Sequence, residues 1–72
     1  MSNNKNSQSK IGRNLKKLRQ EKGISQDRLS KLADLSLNTV VTVESGVNPN
    51  PTIETLTRIA RALDVGVDDL IK

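Results

Sequence analysis

The side chains that most often do chemistry at a protein site are missing from this chain. It has no histidine and no cysteine, which removes the commonest metal ligand and general base and excludes a thiolate metal site. Its adjacent carboxylates, Asp68 and Asp69, open a short C-terminal segment, where acids favour the positive end of a helix dipole. No glycine-rich run could cradle a phosphate. The expectation is therefore no enzyme, no catalytic residue, no cofactor and no metal. What remains is hydrogen-bonding chemistry. Gln26, Ser36, Asn38, Thr39, Thr42, Asn48 and Asn50 carry amides and hydroxyls, with Leu37 and Val41 among them. Such groups recognise a partner's donors and acceptors; they do not transform it.

Charge narrows the partner. Residues 1–31 hold nine Lys/Arg against two Asp/Glu, a net of +7, whereas residues 32–72 hold three against six, a net of −3. A strongly basic half on a 72-residue chain suits a polyanion. No apolar run approaches the ~18 residues of a membrane span, and the polar N-terminus does not read as a signal peptide. A cytoplasmic protein with no membrane partner is expected.

The elements that must position these groups are short helices. The length allows one small domain. There is no Phe, Trp or Tyr, so the core must come from Leu, Ile, Val and Ala. Met1 to Gln8 lack apolar periodicity and are expected to form a disordered tail ahead of a domain over 9–72. Ile11, Leu15 and Leu18 then form one helical stripe, predicting a first helix over about 9–22, capped by Ser9 and stopped by Gly23. Ser25 caps a second helix to Ala33, and Ser36 a third over 36–45 with Val40 and Val43 inward, ended by Gly46. Pro49 and Pro51 exclude regular structure between 47 and 51. Thr52 caps a fourth helix whose apolar set is Ile53, Leu56, Ile59, Ala60 and Leu63; Val67 to Lys72 form a fifth. The fold class is all-α, a compact five-helix bundle.

Two very short capped helices joined by a tight turn are the helix-turn-helix pattern. Neither persists alone, because isolated helices below ~12 residues are marginal, so the other helices must hold them. The run Ile24-Ser25-Gln26-Asp27-Arg28-Leu29-Ser30-Lys31-Leu32-Ala33 resembles the phage repressor/Cro (XRE-type) helix-turn-helix family. So does Val43-Glu44-Ser45-Gly46 followed by Asn-Pro and by Thr52 to Leu70. The resemblance covers about residues 9–72. It implies a DNA-binding fold in which the third helix reads the major groove, usually as a homodimer, in a bacterial or phage regulator acting at the nucleoid. It also implies a partly buried salt bridge between Arg19 and Glu44. The sequence departs from the pattern at Asp34, where the family usually has Gly, at Gly66, where it usually has Ser, and in a third helix without Arg or Lys. Asp can take the left-handed conformation at modest cost, and Gly can fill a helix cap.

At about 100° per residue, with Val40 and Val43 inward, Asn38, Thr42 and Ser45 point away from the core. Leu37 and Val41 flank them on one side and Thr39 on the other. Asn can bond adenine N6 and N7 together, and Thr or Val can pack on a thymine methyl. Leu37, Asn38, Val41 and Thr42 are therefore the expected base-reading set, with a preference for A·T-containing half-sites. Gln26, at the start of the second helix, can meet a phosphate with its side chain and the free N–H groups there; the family uses the position in this way. Ser36 and Thr39 at the start of the third helix, and Asn48 and Asn50 in the following loop, are further candidate phosphate contacts. Lys5 and Lys10 could let the tail touch DNA. Val65, Val67 and Ile71 are candidates for a two-fold contact, which would set the two reading helices about 34 Å apart on double-stranded DNA. The competing expectation is a module that binds a protein partner, such as an antitoxin.

Overall fold

Every boundary between helices is written locally in the chain. In the computed structural model, which describes residues 10–72, five helices follow one another: α1 (Lys10–Lys22), α2 (Gln26–Ala33), α3 (Leu37–Ser45), α4 (Ile53–Leu63) and α5 (Val67–Ile71). The proposed tail, its Lys5 and the Ser9 cap lie outside the described residues. Ser25 Oγ accepts the Arg28 N–H, Ser36 Oγ the Thr39 N–H and Thr52 Oγ1 the Thr55 N–H, at 3.0–3.1 Å. Each side-chain oxygen satisfies one of the backbone donors that a helix start leaves without an intrahelical partner. Gly66 starts α5 without a side-chain oxygen, and instead its own N–H donates to Asp69 Oδ2 at 3.1 Å.

The helices stop by entering the left-handed region. Gly46 does so at φ 89°, at no steric cost. Asp34 and Asp64 do the same at φ 57° and 58°, so the aspartate at the family's glycine position takes the conformation that the turn demands. Arg58 supports it from α4: Nη1 lies 3.2 Å from Asp34 Oδ2 and Nη2 donates to Glu54 Oε2 at 3.0 Å.

Leu15, Leu29, Val40, Val43, Leu56, Ile59, Ala60, Leu63 and Leu70 form one buried cluster, with Ile11, Leu18, Ile24, Leu35, Ala62, Val65 and Val67 packed around it. Each helix contributes to this cluster, which is how an eight-residue α2 and a nine-residue α3 persist. α3 packs on α1 and α2, α4 on α2 and α5, and α5 on α1. Asn14 closes the ring between first and last helices, donating Nδ2 to the carbonyls of Leu70 at 2.8 Å and Lys72 at 3.0 Å. Among the described residues no helix is long and apolar enough to cross a membrane, and no three His, Cys, Asp or Glu cluster as metal ligands would.

Candidate nucleic-acid interface

α3 is fixed from behind. Val40 and Val43 are fully buried, and Glu44 is buried as well. Arg19 of α1 meets it as a fork: Nε donates to Oε1 at 2.9 Å and Nη2 to Oε2 at 2.8 Å. The third donor, Nη1, goes to the Ile24 carbonyl at 2.8 Å. One side chain therefore binds α1, the turn before α2 and α3 together. The hydrogen bonds and charge of Glu44 raise the Arg19 pKa above its already high ordinary value, against the opposing effect of burial. The guanidinium stays charged wherever the protein folds.

Backbone contact reinforces the pair. A Cβ on Gly12 would stand 2.5 Å from the Glu44 carbonyl oxygen and 2.8 Å from that of Val43. Only a residue without one lets α1 approach the end of α3 so closely. Sequence reasoning missed this role. The available signal was a glycine interrupting an apolar helical stripe, which points to close packing.

The opposite face of α3 is open. Leu37 and Val41 are 43% and 37% exposed, and Asn38 and Ser45 are exposed too. The side-chain amides of Asn38 and Gln26 have no hydrogen-bond partner among the described residues. Thr42 differs from expectation: it is half-buried, so the open face is turned from Thr42 toward Leu37 and Val41. The chain leaving α3 folds back at this residue, where the Asn48 N–H donates to the Thr42 carbonyl at 2.9 Å. The Thr42 hydroxyl donates to the Asn38 carbonyl at 2.9 Å, so its methyl and an oxygen lone pair are what it has left for a partner.

The other predicted site residues are spread around this helix. Ser36 and Thr39 are coupled at its start, with Oγ and Oγ1 2.8 Å apart. Gln26 is half-buried in the first turn of α2. Asn48 and Asn50 are exposed in the loop after α3, where Asn48 Oδ1 accepts the Asn50 N–H at 3.3 Å, a turn-forming bond. Lys10 is exposed at the start of α1. Val65 and Val67 lie away from this surface, half-buried against the core, whereas Ile71 beside them is 49% exposed. α3 itself bears no cation, and its one anion, Glu44, is turned inward.

A short capped helix locked from behind, with an open uncharged face and a second short helix packed against it, is a helix-turn-helix. The profile of the helix-turn-helix family matches residues 15–70. The chain belongs to the XRE-type helix-turn-helix family. This helix-turn-helix chain is 33% identical over 61 residues to SinR, an HTH-type transcriptional regulator of Bacillus subtilis (strain 168), and equally to SinR of Bacillus licheniformis. The match covers 85% of this chain and 55% of either SinR, so the chain spans about half the length of these relatives. Among solved structures it resembles the restriction-modification controller protein C.AhdI from Aeromonas hydrophila, with a TM-score of 0.84 and 32% identity over 94% of this chain and 100% of the controller. The clp gene regulator ClgR from C. glutamicum shares the fold, with a TM-score of 0.77 at 23% identity over 89% of this chain and 82% of ClgR.

Proposed function

We propose that this protein is a sequence-specific, double-stranded DNA-binding transcriptional regulator that lays α3 in the major groove and acts as a repressor. The observation that carries this reading is the contrast between the two sides of α3. The side facing α1 is immobilised by the Arg19–Glu44 fork and the Gly12 contact. The other side offers Leu37, Asn38 and Val41 to an outside partner. An unpartnered Asn amide suits the N6/N7 edge of adenine, and the Leu37, Val41 and Thr42 methyl groups suit thymine. With no Arg or Lys on the helix, guanine recognition by a guanidinium is absent, and A·T-containing half-sites follow. Gln26, Ser36, Thr39, Asn48 and Asn50 position the helix through phosphates.

Two copies bind a palindromic operator in this reading, with Ile71, and the rims of Val65 and Val67, at the two-fold contact. SinR is named as a transcriptional regulator and C.AhdI as a controller protein, and regulation of transcription is the corresponding role here. Selection of bound duplexes from random DNA tests the proposal. An A·T-containing inverted repeat is the expected result, and affinity falls with salt as counterions are released. Recovery of random sequence would reject the reading face, and salt-independent binding would reject DNA as the partner.

A further inference from the structure

The reading helix is uncharged, and the phosphate contacts assigned above are neutral. α1, by contrast, exposes Lys10, Arg13, Lys16, Lys17 and Lys22, and none of the five has an ion pair among the described residues. These cations divide by angle. Gly12 and Arg19 mark the side of α1 that touches α3. At about 100° per residue, Lys16 lies one turn after Gly12 and one turn before Arg19 and Gln20, on the outer edge of that seam. Arg13 is exposed about 60° further round from Lys16. Lys17 lies about 40° beyond Arg13 and lines a shallow groove with Asn14, Leu18, Glu21, Asp69 and Lys72, a lining that includes two carboxylates.

We infer that Arg13 and Lys16 form a cationic shoulder beside α3 that holds the phosphate backbone of the same duplex whose bases α3 reads. The inference rests on the DNA-binding role proposed above and adds the residues that supply its charge. The alternative for Lys16 is local: α3 ends without a basic residue in its last turn, and a lysine beside those carbonyls would favour the helix dipole.

The test is the slope of log affinity against log salt for Arg13→Gln, Lys16→Gln and Lys17→Gln in the full chain, on the selected operator and on random duplex. Each of the first two variants is expected to reduce the slope by about 0.9, the release accompanying one lost phosphate contact, and by the same amount on both duplexes. Lys17→Gln should leave it unchanged. An unchanged slope for both Arg13→Gln and Lys16→Gln overturns the shoulder, and so does an equal loss in Lys17→Gln, which would mean diffuse charge. A lowered melting temperature with the slope intact assigns Lys16 to the α3 dipole and also overturns it. If the unmodified protein binds no duplex, the DNA reading itself has failed and the shoulder falls with it; if it binds and only the variants are silent, the shoulder alone is wrong.

Discussion

Gly12 and Glu44 touch through backbone, not side chains: the bare Cα of α1 sits against the Glu44 carbonyl near the end of α3. Two opposing effects meet at Gly12. Alanine in a helix interior is favoured over glycine by about 0.5–1 kcal/mol. Here its methyl would strike two carbonyl oxygens that belong to main chain and cannot rotate away. Overpacking of this kind costs about 1–3 kcal/mol, and the clash should win. Gly12→Ala is expected to be less stable than the parent in urea unfolding. Neutrality or a gain would show that the helices are not in contact there.

The Arg19–Glu44 fork is largely dry, with side-chain exposures of 13% and 6%. Removing one partner strands the other charge, at a cost of about 3–5 kcal/mol. A core this small supplies about 3–5 kcal/mol in all. Arg19→Met and Glu44→Leu should each leave the protein at the edge of unfolding at 25 °C by circular dichroism. The double variant Arg19→Met/Glu44→Leu should recover much of the loss. Two additive single losses would mean that the pair is not coupled.

Asn38→Ala on the open face and Thr42→Ala at its half-buried edge are expected to keep the melting temperature within a few degrees while relaxing sequence preference. A good bidentate base contact discriminates by about 1–3 kcal/mol, roughly 5- to 150-fold in the ratio of operator to random-duplex affinity. Gln26→Ala, by contrast, should weaken binding evenly on all sequences. A loss confined to one base position would move Gln26 from the backbone to the bases.

Asp69 gives a pH dependence. The Gly66 N–H, and secondarily Lys72, hold its carboxyl below the ordinary value. A depressed native pKa favours the folded state above the unfolded value of about 3.9, and this contribution disappears as pH falls through the native value. The stability difference between the parent and Asp69→Asn should therefore be present at pH 6 and shrink toward pH 2. A difference that persists undiminished into acid would mean that the carboxylate charge is not what caps α5.

Reading the chain in advance succeeds where the cause is local. Ser25, Ser36 and Thr52 each act on a backbone N–H three residues away, so the starts of α2, α3 and α4 are visible in the sequence. The inward pair Val40 and Val43 follows from spacing alone. Arg19 and Glu44 are 25 residues apart, and periodicity places each near an inner face without saying that they meet; the family resemblance supplied the pairing. Asn14 and its acceptor at Leu70 are 56 apart, and nothing near either residue announces the bond. Spacing sets Thr42 fully outward, whereas it is half-buried, because helical geometry takes no account of what packs beside the helix.

The three-way grip of Arg19 on α1, on the Ile24 carbonyl and on Glu44 makes the approach to α2 and the whole of α3 a single stiff unit. Such a unit has no internal hinge with which to follow an irregular half-site. If two copies bind as proposed, any mismatch between their reading helices and the pitch of the operator would have to be absorbed by bending the DNA or by flexing the joint between the copies. Tolerance to spacing would then be a property of the intervening base pairs, which no side chain touches.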